Sequence, residues 1–96
     1  VCANENRSVH GYGVRGKTLY CIQDTAAAIQ NIHLAAFALG LGTCWVGAFS
    51  EEEAKEVLKV PDGVRLVAIV PVGYAVEAVP PRRRRPVEHV THYERF

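Results

Sequence analysis

The clearest pattern of apolar positions lies in the middle of the chain, between Tyr20 and Leu39. A stripe of apolar residues recurs there at spacings of three and four, which is the period of one helix face. The remaining faces are also largely apolar, so the pattern predicts a helix packed on several sides. The stripe consists of Ile29, Ile32, Ala36 and Leu39, and the other faces carry Ala26, Ala27, Ala28, Ala35 and Phe37.

A stretch with no charge, GLGTCWVGAF at 40–49, follows this helix. Gly40 or Gly42 can take the left-handed position that ends a helix. Thr43–Ala48 then reads as a short buried strand. Ser50 and Glu53 form the S-x-x-E capping box, which predicts that a second helix starts here and runs to about Leu58.

A nearly continuous run of β-branched residues occupies Val64–Val72. The V-P-D-G sequence at 60–63 predicts a turn before it. The length and apolarity of the run favour a central strand, and Pro71 marks the point where pairing must lapse.

The two ends are less regular. Val1–Ala3 reads as the end of a strand, Asn4–Lys17 as a polar, glycine-rich loop, and Pro86–Tyr93 as an extended segment. The sequence has no methionine and opens on this strand remnant. We therefore expect the chain to be the later part of a longer protein.

The composition is that of a globular domain, with 49% apolar and 22% charged residues and a formal net charge of +1. This balance argues against a disordered tail and gives no general attraction for nucleic acid. The apolar run at 25–41 contains Gln30, Asn31 and His33, so we expect no membrane span. The first residues do not resemble a signal peptide. Three cysteines without a C-x-x-C pair predict no disulfide scaffold, and we expect a cytoplasmic protein.

Few residues suggest chemistry by themselves. The spacing of Cys2, Cys21 and Cys44 matches no zinc pattern, so we predict no metal site and structural cysteines, with Cys44 buried. We interpret His33 as a hydrogen-bonded core or interface histidine, because no nucleophile lies one turn away. We interpret Asp24 as a first-turn carboxylate. The sequence GYGVRGK at 11–17 lacks the spacing of a phosphate loop.

Arg82–Arg85 is the strongest local charge, and three interpretations remain open. It could be a solvated run between prolines, a nuclear signal or nucleic-acid patch, or a phosphate clamp in which Arg82 and Arg84 share one side of an extended segment. The residues alone thus predict part of an α/β-type domain with a flat apolar strand and an arginine cluster. They do not indicate a particular reaction.

Several motifs together resemble the nitroreductase family of flavin-dependent oxidoreductases. They are D-x-x-x-A-x-Q-N-x-x-L-A-A from Asp24, G-L-G-T-x-W from Gly40, P-x-G-Y from Pro71, and the Pro/Arg tail. The resemblance covers about Val1 to Val90. It implies an α+β fold with a central sheet flanked by helices, of which residues 1–96 are the C-terminal part of a single domain.

The resemblance also implies a homodimer with flavin mononucleotide (FMN) at the subunit interface. The activity would be hydride transfer from NADH or NADPH through the flavin to an electron-poor acceptor such as a nitro compound or quinone. The alternative is a flavin-binding or purely structural dimerisation fragment without turnover. No residue is expected to be catalytic in its own right, because flavin carries the chemistry.

By the same resemblance, the flavin ring lies along the main chain of Trp45, Val46, Gly47 and Ala48, where an amide bonds near the reactive nitrogen. Small side chains at Gly47 and Ala48 suit such an approach. The resemblance also implies that Arg84, ahead of Arg82, binds the flavin phosphate. Residues 76–96 are expected to form an extended basic tail packing on the dimer partner. The family's N-terminal Arg-Ser-Arg motif has no counterpart here.

Overall fold

The computed structural model describes residues 1–77 and 79–96, and its architecture is α+β, as predicted. The longest helix is preceded by a wide turn of π-helix at Gly16–Tyr20, and a 3₁₀ turn lies at Val87–His89. The helices are α1 (Glu5–Arg15), α2 (Cys21–Ala38) and α3 (Glu51–Leu58), and the strands are β1 (Cys2–Asn4), β2 (Gly42–Thr43), β3 (Val64–Leu66) and β4 (Val72–Gly73).

Helix α1 corrects the prediction of a loop at Asn4–Lys17. The Asn4 side chain accepts a hydrogen bond from the Arg7 amide at 2.9 Å, which is an N-cap interaction. The Glu5 amide donates to the Gly63 carbonyl, so the start of the helix is also tied to the turn before β3. The glycines cost helix stability without preventing the helix. Only Gly13, at φ +60°, leaves the helical region and kinks it.

Helix α2 confirms the central helix predicted from Tyr20 to Leu39. It ends in a Schellman motif, with Gly40 at φ +74° donating to the Phe37 carbonyl and Leu41 donating to the Ala36 carbonyl. Ile29 and Ala36 are buried, whereas Phe37 is 84% exposed. The expected packing on several sides is therefore not met within the described residues.

Residues 64–73 take part in both two-stranded sheets of the described residues. β3 pairs antiparallel with β1, and β4 pairs antiparallel with β2. Between these ladders the amides of Val67 and Ala68 both donate to the Val1 carbonyl, which is a β-bulge. Ile69 then exchanges two hydrogen bonds with Val46. The predicted central run is thus paired in both halves, but it is not one continuous strand.

Helix α3 begins as its capping box predicts, with the Glu53 amide donating to Ser50 Oγ at 3.3 Å. A bidentate ion pair joins this helix to β3, because Arg65 donates from Nε and Nη2 to the Glu51 carboxylate. This hydrogen bonding lowers the pKa of Glu51 and raises the pKa of Arg65. The predicted turn before β3 is also present, with Gly63 at φ +76°.

The prediction of an extended segment at Pro86–Tyr93 is wrong in part. Val87–His89 forms a 3₁₀ turn in which the His89 amide donates to the Pro86 carbonyl at 3.0 Å. Residues 79–96 are exposed throughout. In the part of the chain that the structure describes, none of the helices has the length and apolarity needed to cross a membrane.

Candidate cofactor site

The segment 42–48 is held at two points by the sheet. Thr43 lies opposite Val72, and Val46 lies opposite Ile69. If the pairing register is continued between these two pairs, Cys44 lies opposite Pro71. Pro71 has no amide hydrogen to donate. The strand predicted at Thr43–Ala48 is therefore interrupted in its middle. Cys44 is exposed, contrary to the prediction that it is buried.

The backbone amides of this segment differ in their availability. The Val46 amide donates to the Ile69 carbonyl at 2.9 Å, and the Val46 carbonyl accepts from the Ile69 amide at 3.0 Å. The bridge to Ile69 therefore uses both backbone groups of Val46. Among the described residues, the amides of Gly47 and Ala48 have no hydrogen-bond partner, and both residues are exposed. These two amides are free to donate to a bound group.

Trp45 lies beside Gly47 on the same side of the strand. A Cβ atom built on Gly47 would lie 3.8 Å from Nε1 of the indole, which is ordinary van der Waals contact. Alternate residues of an extended segment share a face, so Thr43, Trp45 and Gly47 face the same way. The indole is 45% exposed and leaves an apolar surface next to the free Gly47 amide.

His33 on α2 faces this strand. Its Nδ1 lies 2.6 Å from Oγ1 of Thr43, and its ring centroid lies 6.3 Å from the Trp45 ring. The interpretation of His33 as a hydrogen-bonded histidine is confirmed. Sequence reasoning missed Thr43 as its partner, because nothing in a local pattern indicates which strand residue a helix residue will meet.

The arginine cluster Arg82–Arg85 is exposed, and its hydrogen bonds are local. Arg84 Nη1 donates to the carbonyl of Arg82 at 3.3 Å, and Arg85 Nη2 donates to the carbonyl of His89 at 3.1 Å. No hydrogen bond within the described residues joins this cluster to the segment 45–48. Guanidinium groups available in solvent can bind a phosphate bidentately.

The described ranges contain no group of three or more His, Cys, Asp or Glu side chains placed to hold a metal ion. The three cysteines are free, and the buried Cys21 donates its thiol to the Lys17 carbonyl. The free amides and the arginine cluster offer hydrogen-bond donors, and the indole offers an apolar surface. A flat, phosphorylated aromatic cofactor requires both kinds of group.

The sequence model of the nitroreductase family matches residues 8–74. This match extends from α1 to the residue after β4, so it contains the whole segment 42–48. The chain belongs to the nitroreductase family.

Relatives of known sequence agree with this assignment. A protein named as a nitroreductase from Methanocaldococcus jannaschii is 39% identical over 77 residues, which are 80% of this chain and 37% of that protein. The FMN reductase (NADPH) of Bacillus subtilis is 37% identical over 71 residues, covering 72% of this chain and 28% of that protein. The chain thus spans less than half the length of these relatives.

Solved structures show the same fold. NfrA1 from B. megaterium superimposes with a TM-score of 0.82 at 30% identity, over 99% of this chain and 44% of that one. A nitroreductase family protein from Clostridium novyi NT is 44% identical with a TM-score of 0.63, over 76% of this chain and 39% of that one. The α+β fold predicted from the motifs is therefore confirmed as the nitroreductase fold.

Proposed function

We propose that the chain is part of an FMN-dependent oxidoreductase that passes hydride from NADH or NADPH to an electron-poor acceptor such as a nitro compound or quinone. The observation that carries this proposal is the pair of free, exposed amides at Gly47 and Ala48 within a segment matched by the family. When bound, FMN supplies the redox chemistry, and the protein supplies binding, orientation and electrostatics.

The ring of the cofactor would lie against Trp45, Val46, Gly47 and Ala48. The Gly47 or Ala48 amide is the donor in this proposal, because Val46 has already used its own amide in the sheet. Val46 would contribute only side-chain and peptide-plane contact. An N–H directed at a reactive ring nitrogen stabilises the electron-rich form of the ring, which is how the protein would tune its potential.

Arg84 and, second, Arg82 would hold the phosphate. Arg84 donates to the main-chain carbonyls of Arg82 and Arg83 on the exposed surface, so exchanging these acceptors for a charged one costs little. Arg83 and Arg85 would face solvent or a carboxylate. The name of the Bacillus subtilis relative, FMN reductase (NADPH), is consistent with both cofactors.

A homodimer completes the proposal, with residues 76–96 packing on the partner. The Cα radius of gyration is 16.9 Å, compared with about 12.5 Å for a compact chain of this length. Large apolar side chains such as Phe37, Val76 and Phe96 are more than four-fifths exposed. Such surface is normally covered by other protein.

Two measurements on the purified protein test the function. We expect flavin absorbance bands in the visible range, and oxidation of NADH or NADPH that depends on an added quinone or nitroaromatic compound. Flavin bands without oxidation of either dinucleotide would identify a flavin-binding protein without turnover. Failure to bind added FMN would refute the proposal.

A further inference from the structure

A short chain of contacts runs from helix α2 to the free Gly47 amide. His33 Nδ1 lies 2.6 Å from Thr43 Oγ1, and the His33 ring is adjacent to the Trp45 indole. The indole in turn lies in van der Waals reach of the position where Gly47 would carry a side chain. His33 is partly buried, so its hydrogen bond is shielded from competition with water.

This chain of contacts acts where the backbone pairing is weakest. The segment is paired at Thr43 and again at Val46, and Pro71 opposite Cys44 supplies no amide between them. The orientation of residues 44–45 therefore depends on side chains. Thr43 and Trp45 face α2 together, and the His33 side chain of α2 lies next to both of them.

We propose that His33 is a positioning residue for the cofactor site: by holding Thr43 and the Trp45 indole, it fixes the surface and the Gly47 amide against which the flavin ring binds. This inference rests on the proposed function, because it assumes that the ring lies at Gly47. His33 need not touch the cofactor.

The experiment compares three single variants and one double variant of the full chain. His33→Leu removes the ring nitrogen, and Thr43→Val removes the hydroxyl while keeping the branched shape. His33→Asn is the conservative variant, since its side-chain amide can reach the place of Nδ1. Three properties are measured: FMN affinity by fluorescence quenching, the midpoint potential of the bound FMN, and the emission of Trp45, which is the sole tryptophan.

The losses should be non-additive if the two residues act as one unit. We expect His33→Leu and Thr43→Val each to weaken FMN binding by about five- to tenfold, the scale of one hydrogen bond. The double variant should be no worse than the His33→Leu variant. His33→Asn should restore most of the affinity. At saturating FMN the midpoint potential of His33→Leu should be more negative, which a merely structural loss would not produce.

The emission of Trp45 without FMN separates this inference from the proposed function. We expect it to shift in His33→Leu and Thr43→Val and to return in His33→Asn. If the wild type binds FMN, additive losses in the variants, or variants with unchanged FMN affinity and midpoint potential, would overturn the positioning role alone. A wild type that binds no FMN would overturn the proposed function and this role with it.

Discussion

At the scale of single residues, Gly47 combines a free amide with the absence of a side chain. Among the described residues, a Cβ there would meet only the Trp45 indole, at ordinary contact distance. We therefore expect Gly47→Ala and Gly47→Val to fold. The Val variant should weaken FMN binding by about tenfold or more, because its branched carbons displace either the indole or the ring.

The comparison for Gly47 is a titration of FMN against each variant, with circular dichroism to check the fold. Gly11→Ala is the control, since a Cβ at that position meets no atom within 4 Å. If a folded Gly47→Val variant bound FMN with wild-type affinity, the ring could not bind at this surface.

Arg84 and Arg83 are neighbours in one exposed run, yet the proposal gives them different roles. Replacing Arg84 with Ala should reduce the free energy of FMN binding by roughly 1.5–3 kcal/mol, the scale of a charged hydrogen bond. Arg83→Ala is the matched control and should change it much less. The test is FMN retention, repeated with riboflavin, which lacks the phosphate and should not distinguish the variants. Equal losses in both variants would indicate a general charge effect.

At the scale of elements, α1 contains two glycines with opposite requirements. Gly11 is helical and its Cβ position is open, whereas Gly13 has φ +60° and ψ −151°. Gly11→Ala should stabilise the protein by about 0.5–1 kcal/mol, since alanine is the better helix former. Gly13→Ala should destabilise it by about 1–3 kcal/mol, because an L side chain is strained there. Urea unfolding of both variants checks the prediction, and the same sign for both would contradict the kink.

The ion pair between α3 and β3 makes a pH-dependent contribution to the free energy of unfolding. The pKa of Glu51 is lowered in the folded protein, so its stabilisation is present above the ordinary value of 4.5 and is lost as the pH falls through the folded pKa. Both partners are partly exposed, which limits the effect to about 0.5–1 kcal/mol. Glu51→Gln should therefore lower the free energy of unfolding at pH 7 and have little effect once the pH is well below the lowered pKa of Glu51.

The control for this pair is Glu52→Gln. Glu52 lies in the same first turn of α3, and its carboxylate makes no ion pair within the described residues. The Glu52→Gln substitution removes an equal charge from the N-terminal end of the helix without breaking a bidentate contact. If both variants lose the same stability at pH 7, the helix dipole rather than Arg65 is responsible.

The sequence predicted elements whose signals are local. The period of α2, its glycine stop and the Ser50 cap depend on residues within a few positions of one another, and all three are confirmed. Helix α1 is not evident from the sequence, because its glycines and polar residues disfavour a helix and the capping Asn4 is its one local signal. The pairing of His33 with Thr43 and the use of the Val46 amide depend on how distant segments meet, so no local pattern could indicate them.

At the scale of the whole molecule, the exposed apolar surface of α2 carries the proposal of a dimer. Leu34 and Phe37 in α2, and Leu39 at its C-cap, are all more than half exposed, although α2 is the most apolar of the described helices. A Phe37→Glu variant would bury a charge if this face packs on a partner, which costs several kcal/mol. We expect it to sediment as a monomer under conditions where the wild type is dimeric.

Flavin retention should follow the same change. A site formed at a subunit interface loses its ligand when the subunits separate, so Phe37→Glu should release FMN on dilution at concentrations where the wild type retains it. Gln23→Glu is the matched control, since it adds the same charge to an exposed position of α2. Sedimentation velocity and FMN fluorescence, measured over one dilution series, check both properties. A monomeric variant that still holds FMN would place the whole site within one subunit and would contradict the interface while leaving the cofactor assignment intact.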